Sequence, residues 1–201
     1  MLDLLIFERR LWANGLRAVA GVDEAGRGAL FGPVVAAAVI LDPTRDLSGY
    51  RDSKALSPDQ RERALTRLGE DGHAWAWAQV SAAEIDATDI LRATMRAMAL
   101  AVSRLAPPPD HVLVDGPHAP ELTSTIEAVV HGDALSASIA AASIVAKVQR
   151  DRIVVELDSR YPGYGLAKHK GYGTVLHLEA LRRLGPTPLH RMSFRGVEGM
   201  S

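Results

Sequence analysis

The stretch Val22-Asp-Glu-Ala-Gly-Arg-Gly-Ala-Leu-Phe-Gly-Pro33 joins two acidic residues to a glycine-rich loop, and the rest of the chain is organised around it. Asp23 and Glu24 come directly after the apolar run 18–22, which is typical of a β-strand. Carboxylates at the end of a buried strand are costly unless they face water, are paired or bind a metal ion. The glycines that follow let the backbone turn sharply and approach a ligand closely. The stretch therefore indicates a site for a metal ion and a phosphate.

This stretch has two other interpretations, of which the first stays open at the level of these residues. Asp-Glu followed by Gly-Arg-Gly could be an ordinary solvated turn. A dinucleotide-binding loop needs Gly-x-Gly-x-x-Gly at the start of a helix, and here the third glycine, Gly32, is one residue late. The apolar residues 33–41 favour a buried strand over a helix, so the dinucleotide interpretation is disfavoured. The segment is predicted to be strand–loop–strand.

Length and composition set the broad class of the protein. A chain of 201 residues suits one domain. Because it contains no cysteine, any metal ion must be held by oxygen or histidine ligands. The formal net charge of −1 argues against a uniformly basic surface but allows local basic patches that bind nucleic acid. The charged N-terminus is unlike a signal peptide and no apolar run is long enough to span a membrane, so we expect a soluble, cytoplasmic protein.

Hydrophobic periodicity predicts an α/β fold. Five apolar runs are typical of strands, at about 18–23, 33–41, 74–80, 112–114 and 126–130. Helical spacing and capping signals predict helices at about 3–15, 58–68, 90–105, 134–157 and 174–184, with a loop at 161–174. The first three strands are expected to form an antiparallel meander, and the later, helix-separated strands to be parallel. The small and apolar first half of the helix at 134–157 is expected to be buried against the sheet.

Acidic residues recur at the ends of the predicted strands. Asp23, Asp115 and Asp133 each follow an apolar strand and adjoin glycine or a flexible loop. Neighbouring strand ends in a mixed sheet can converge on one crevice. Together with Glu24 these carboxylates would repel one another, and hard divalent cations such as Mg²⁺ or Mn²⁺ relieve that repulsion. Two such ions are a known device for phosphodiester hydrolysis.

Each of these acids also has a structural interpretation. Asp133 precedes a helix and could be its N-cap, and Asp115, before Gly-Pro, could belong to a turn. Adjacent strand residues face opposite sides of a sheet. Asp23 and Glu24 are therefore expected to reach one metal site only if the strand breaks at Glu24 or one ligand is a backbone carbonyl. Ser138 and Ser143 are expected to hydrogen-bond to their own helix.

Taken together, the motifs resemble the ribonuclease HII family over about residues 17–194. They occur in the family's order: Gly21-Val-Asp-Glu-Ala-Gly-Arg-Gly28, Gly32-Pro33, Asp52-Ser-Lys54, Val114-Asp-Gly116, Gly132-Asp133, the helix 138–147 with Arg150-Asp151, and His169-Lys-Gly-Tyr-Gly-Thr174. The related ribonuclease HIII family has Asp-Glu-Val-Gly-Thr-Gly in the first motif and an extra N-terminal domain. Ala25-Gly-Arg-Gly28, and the 22 residues before Asp23, favour ribonuclease HII.

The resemblance implies a ribonuclease H-like α/β fold, with a mixed five-stranded sheet flanked by helices and a small helical C-terminal part. Residues 1–201 would form a single domain, with the catalytic core at about 17–160 and the C-terminal loop and helix at 161–201. The implied activity is hydrolysis of the RNA strand of RNA–DNA hybrids and incision 5′ to single ribonucleotides in duplex DNA, giving 3′-hydroxyl and 5′-phosphate ends. Those nucleic acids would be its partners, and we expect a monomer.

Family roles carry over residue by residue. Two Mn²⁺ or Mg²⁺ ions would be held by the catalytic carboxylates Asp23, Glu24, Asp115 and Asp133. Nucleic-acid contacts would come from Gly26, Arg27, Gly28, Lys54, Lys168, Lys170 and Tyr172. The Gly-Arg-Gly residues would read the 2′-hydroxyl, and the tyrosine would stack on the sugar at the RNA-to-DNA junction.

Two questions stay open beside these assignments. Lys147 and Arg150 either face the substrate or form the solvated side of their helix. The chain could also be a non-catalytic hybrid-binding module of the same fold. Four carboxylates repel phosphates in the absence of metal, so their presence favours the enzyme.

Overall fold

A mixed five-stranded sheet lies at the centre of the computed structural model, which describes residues 3–47, 49–50 and 56–200. The strands are β1 (Val19–Ala25), β2 (Val34–Ile40), β3 (Ala74–Val80), β4 (His111–Asp115) and β5 (Thr125–Val129). The helices are α1 (Ile6–Ala13), α2 (Pro58–Glu70), α3 (Ala82–Ala87), α4 (Ile90–Ser103), α5 (Ala137–Arg160), α6 (Leu166–His169) and α7 (Val175–Leu184). The predicted α/β class and five-stranded mixed sheet are confirmed.

The strand order is β3-β2-β1-β4-β5, which puts β1 in the middle of the sheet. β1 pairs antiparallel with β2, and β2 pairs antiparallel with β3, as expected of a meander. β1 and β4 are parallel, as are β4 and β5. The carboxyl ends of these three parallel strands therefore meet at one edge of the sheet, where ligands bind in open α/β sheets.

Helix α5 packs tightly against the central strand. A Cβ atom at Gly21 of β1 would lie 2.1 Å from the carbonyl carbon of Ser138, so only glycine allows this approach. Residues 137–146 of α5 are all buried, which confirms the prediction for the first half of this helix. The opposite face of the sheet is covered by α3 and α4, so β1 and β2 are buried on both sides.

The start of α5 is fixed by a buried carboxylate on α1. Glu8 accepts hydrogen bonds from the amide and the hydroxyl of Ser138, at 2.9 and 2.6 Å, and one from the hydroxyl of Ser136. Ser136 is the N-cap, because its hydroxyl accepts from the amide of Ile139 at 3.2 Å. The alternative interpretation of Asp133 as the N-cap of this helix is wrong, since Asp133 lies earlier, in the 3₁₀ turn Gly132–Ala134. Ser138 bonds to α1 rather than to its own helix, which corrects a second prediction.

The C-terminal part packs on the loop that follows β1. A separate apolar cluster joins Phe31 of this loop to Val154 of α5, Leu166 of α6 and Leu181 of α7. Helix α6 lies within the segment 161–174 that was predicted to be a loop. The division at about residue 160 stays a prediction. Within the described ranges, no helix is both long and apolar enough to cross a membrane.

Candidate active site

A cleft of about 340 Å³ opens where β1 and β4 end. Its floor and walls come from the strand ends, the glycine loop after β1, and helices α2 and α5. The described residues that line it are Asp23, Glu24, Ala25, Gly26, Arg27, Gly28, Arg61, Asp115, Asp133, Ser143, Lys147 and Tyr172. All four predicted metal-binding carboxylates and the whole Gly-Arg-Gly motif therefore lie around one cavity.

Hydrogen bonds orient the carboxylates of Asp23 and Asp115 at the strand ends. The amide of Asp133 donates to Oδ1 of Asp115 at 3.3 Å. Oδ1 of Asp23 accepts from the amide of Glu24 at 2.7 Å, and the hydroxyl of Ser143 on α5 bonds to the same carboxylate. Ser143, for which only a bond to its own helix was expected, orients a carboxylate of the cleft.

Glu24 reaches the cleft without a break in its strand. β1 continues through Ala25, and Glu24 still pairs with Ala36 of β2. A strand break at Glu24, one of the two alternatives considered from the sequence, is therefore wrong. The pairing of β1 with β4 ends earlier, at Val22, so the last residues of β1 extend beyond β4 and lie beside the open cleft. The side chain of Glu24 forms an ion pair with Arg27 across 3.5 Å.

Burial and mutual repulsion make this cleft unfavourable for unpaired negative charge. Burial raises the pKa of Asp23 well above its ordinary value, and the charges of Glu24 and Asp115 raise it further. Burial also raises the pKa of Glu24, while Arg27 opposes that shift. A cation in the cleft would relieve this repulsion, and carboxylate oxygens are the hard ligands that Mg²⁺ and Mn²⁺ prefer. The donor set therefore fits a divalent metal ion.

The side chains are not gathered tightly around a single point. In the part of the chain that the structure describes, no three histidine, aspartate or glutamate side chains are grouped so as to hold one ion. Glu24 is engaged with the guanidinium of Arg27, which a metal ion would have to replace. The four acids thus share a cavity without converging on one point.

Two buried arginines hold the glycine loop from behind. Arg150 of α5 donates to the carbonyls of Phe31, Pro33 and Lys170 at 3.2, 3.3 and 3.0 Å. Arg191 donates from Nε to the carbonyl of Gly32 at 3.0 Å, and from Nη1 to that of Arg27 at 2.9 Å. Hydrogen bonds to charged donors are stronger than neutral ones, so these contacts fix the path of the loop.

Neither interpretation of Arg150 from the sequence is correct. Arg150 is fully buried, so it lies neither on a solvated helix face nor in contact with the substrate. Its charge is accommodated by carbonyls from segments distant in sequence, which the pattern of α5 alone does not reveal. Arg191 is also fully buried and was not identified from the sequence, because a single arginine in a C-terminal segment carries no distinguishing pattern.

Tyr172 lies at the wall of the cleft against two cations. Its ring centroid is 5.2 Å from the guanidinium carbon of Arg150 and 5.9 Å from Nζ of Lys147. Its backbone forms an antiparallel bridge with Ala29, just after the Gly-Arg-Gly motif. Tyr172 is 36% exposed and lines the cavity, so it is accessible to a ligand in the cleft.

The other predicted basic contacts divide into three groups. Lys147 lines the cleft and pairs with Asp151 across 2.7 Å. Lys168 is exposed and Lys170 donates to the carbonyl of Ala167, and neither lines the cleft. Lys54 lies outside the described residues.

Arg61 of α2 also lines the cleft and was not identified from the sequence. Its Nη1 donates to the carbonyl of Leu56 at 2.6 Å while the side chain borders the cavity. Nothing in the helical pattern separates it from Arg63 and Arg67, which do not line the cleft.

Comparisons with known proteins agree with this geometry. The sequence profile of the family described as Ribonuclease HII matches residues 20–197. A Ribonuclease HII of Geobacillus kaustophilus is 53% identical over 195 residues, which are 97% of this chain and 75% of that protein. One from Syntrophotalea carbinolica is 49% identical over 193 residues, 96% of this chain and 92% of that protein.

A solved structure shows the same fold. The ribonuclease H2 of Pyrococcus horikoshii superposes with a TM-score of 0.73 at 28% identity, covering 89% of this chain and 94% of that one. The family match spans both the strand-end acids and the C-terminal segment that holds the glycine loop. The chain therefore belongs to the ribonuclease HII family, the metal-dependent endonucleases that hydrolyse RNA in RNA–DNA hybrids.

Proposed function

We propose that this cleft is the catalytic centre, that it takes two divalent ions, and that it incises 5′ to single ribonucleotides embedded in duplex DNA. The observation that carries the proposal is the convergence of Asp23, Glu24, Asp115 and Asp133 on one cavity beside the clamped Gly-Arg-Gly loop. The carboxylates would hold Mg²⁺ or Mn²⁺. Such ions, when bound, supply activation of a water molecule and stabilisation of charge on the phosphate.

The chain's own residues would orient the nucleic acid. The glycine motif brings backbone groups to the cleft surface, with Gly28 exposed and open space where its Cβ would be. Backbone amides and carbonyls there can hydrogen-bond the 2′-hydroxyl, the group that distinguishes RNA from DNA. The accessible side chain of Tyr172 would stack on the sugar at the junction.

Three cations at the cleft would contact the nucleic-acid backbone. Arg27, Arg61 and Lys147 line the same cavity as the acids. Arginine and lysine side chains provide the usual phosphate contacts of nucleic-acid-binding proteins. Lys168 and Lys170 lie away from the cleft, so any contact with phosphates would be made farther along the duplex. The expected monomeric and cytoplasmic state stays a prediction.

The substitution Asp23→Asn tests the catalytic assignment. It removes a charge while keeping volume, so cleavage should fall by about a thousandfold or more as several kcal/mol of transition-state stabilisation are lost. Binding of an RNA–DNA hybrid should persist. Glu121→Gln, at an exposed residue outside the cleft, is the matched control and should cleave normally. Normal cleavage by Asp23→Asn would refute the assignment. Loss of hybrid binding as well would favour a binding role for this residue.

A further inference from the structure

Three buried histidines lie beneath the Tyr172 segment and outside the cleft. They are His169 of α6, His177 of α7 and His190 in the segment after α7, and all three are buried. The rings of His169 and His177 stack with centroids 4.5 Å apart. Nε2 of His177 lies 3.1 Å from Nε2 of His190. None of them touches the carboxylates, so catalysis at the cleft does not account for them.

The partners of His190 and His177 fix one arrangement of protons. The amide of Thr187 can only donate, and it lies 2.9 Å from Nδ1 of His190, so that nitrogen is an acceptor. We therefore assign the proton of neutral His190 to Nε2, which donates to Nε2 of His177. His177 must then carry its proton on Nδ1, and Nδ1 lies 3.0 Å from the carbonyl of Tyr172, which can only accept. Each ring nitrogen of His177 and His190 then has a matching donor or acceptor.

The backbone around Tyr172 links these histidines to the cleft loop. Tyr172 pairs with Ala29 of the glycine loop, and the adjacent Gly171 carbonyl accepts from the amide of Leu30 at 2.8 Å. At the other end of this row of histidines, the backbone of His190 forms a bridge with Phe31 of the same loop. The histidines therefore brace two segments that flank the loop on either side.

We propose that His177, oriented by His190, is a positioning residue that holds the backbone of Tyr172 and thereby sets selectivity for a ribonucleotide junction. This inference rests on the junction-reading role proposed for Tyr172. His177 acts through the tyrosine and does not contact the nucleic acid. Displacing the Tyr172 carbonyl would shift its ring relative to the cleft, and small displacements of a positioning group lower rates considerably.

Two substitutions separate positioning from simple structural support. His177→Asn places an amide near the position of Nδ1, so it keeps the donor to Tyr172 and loses the contact with His190. His177→Gln places its amide near Nε2, so it keeps the acceptor for His190 and loses the donor to Tyr172. Each variant removes one buried hydrogen bond, so their losses of stability should be similar. Glu179→Gln, on the exposed face of α7, is the control.

The readout is the ratio of kcat/KM on duplex DNA with one ribonucleotide to kcat/KM on a long RNA–DNA hybrid. His177→Gln should lower this ratio about tenfold, whereas His177→Asn should stay within about twofold of the unmodified enzyme. Equal ratios for the two variants would overturn the proposal. If Tyr172→Ala leaves the ratio unchanged, the junction role of Tyr172 fails and this inference fails with it. If Tyr172→Ala lowers the ratio but His177→Gln and His177→Asn have equal ratios, only the inference about His177 fails.

A second measurement needs no variant. Nitrogen-15 NMR of the imidazoles in the unmodified protein should show His177 neutral with its proton on Nδ1, and His190 neutral with its proton on Nε2. The Nδ1-protonated form is the less common one for a free imidazole, so its presence identifies the bond to Tyr172. An Nε2-protonated His177 would overturn the proposal.

Discussion

A Cβ atom at Gly26 would lie 1.9 Å from Nε of Arg150. The buried arginine therefore packs so closely against the first glycine of the cleft loop that no larger residue fits at position 26. Gly26 also has φ +92°, in the region that favours glycine. Arg150 is held by the carbonyls of Phe31, Pro33 and Lys170. The loop conformation and the arginine thus depend on each other.

Gly26→Ala should destabilise the fold by about 3 kcal/mol or more. The new methyl would displace Arg150 from its carbonyl partners, leaving a buried charge uncompensated, and the backbone would be strained as well. Urea unfolding measures the change. Gly28→Ala is a matched control, because its Cβ would meet nothing within 4 Å and its φ is not in the glycine region. Equal stability of the two variants would contradict the clamp.

Acidification should destabilise the protein through its buried histidines. Burial, reinforced by the positive charge of protonated His177, lowers the pKa of His190 to about 4. In the unfolded chain His190 is protonated below about pH 6.5, whereas in the folded protein it is protonated only below about pH 4. The contribution of neutral His190 to the free energy of unfolding is therefore fully present above pH 6.5. It is lost as the pH falls towards 4, and amounts to on the order of 3 kcal/mol. The pKa values of His73, His111 and His177 are shifted in the same direction.

The difference between the unmodified protein and His190→Asn isolates this effect, because acids such as Asp23 titrate in both. The free energy of unfolding, measured from pH 7 to pH 4, should fall less steeply in the variant. The groups that face His190 are His177, the rings of Phe31 and Tyr164, and the polar groups of Thr187. If the free energy of unfolding depends on pH in the same way in both proteins, protonation of His190 does not contribute to acid destabilisation.

Salt dependence should identify Arg61 as a phosphate contact. Binding of a hybrid, measured with Asp23→Asn to prevent cleavage, should weaken with salt in proportion to the number of phosphates contacted. Arg61→Gln should reduce the log–log slope by about 1. Arg63→Gln, on an exposed site of the same helix, should leave the slope unchanged. Identical slopes for the two variants would remove Arg61 from the interface.

The fold was largely predictable because its signals are local. Strand periodicity, the capping residue Ser57 before α2 and the small residues of α5 each depend on neighbours in the chain. The convergence of acids at one edge followed from the parallel strands. The N-cap of α5 was misassigned because both Ser136 and Asp133 are good capping residues, and only the length of the 3₁₀ turn decides between them.

The residues that support the site were not predictable, because their partners are remote in sequence. Arg150 finds carbonyls on the loop after β1 and on Lys170, so its burial depends on how those segments pack. Arg61 reaches the cleft through the orientation of α2. The ion pair between Glu24 and Arg27 is local, yet its place beside the cleft depends on β1 running past its last residue paired with β4, which the sequence of β1 does not reveal.

The most direct test of the account is a cleavage assay on labelled duplex DNA that contains one ribonucleotide, run with Mg²⁺, with Mn²⁺ and with EDTA. A single cut 5′ to the ribonucleotide, leaving a 3′-hydroxyl and a 5′-phosphate and disappearing with EDTA, is the predicted result. Folded protein that binds this duplex but leaves it intact with either ion would contradict the account and favour a hybrid-binding module.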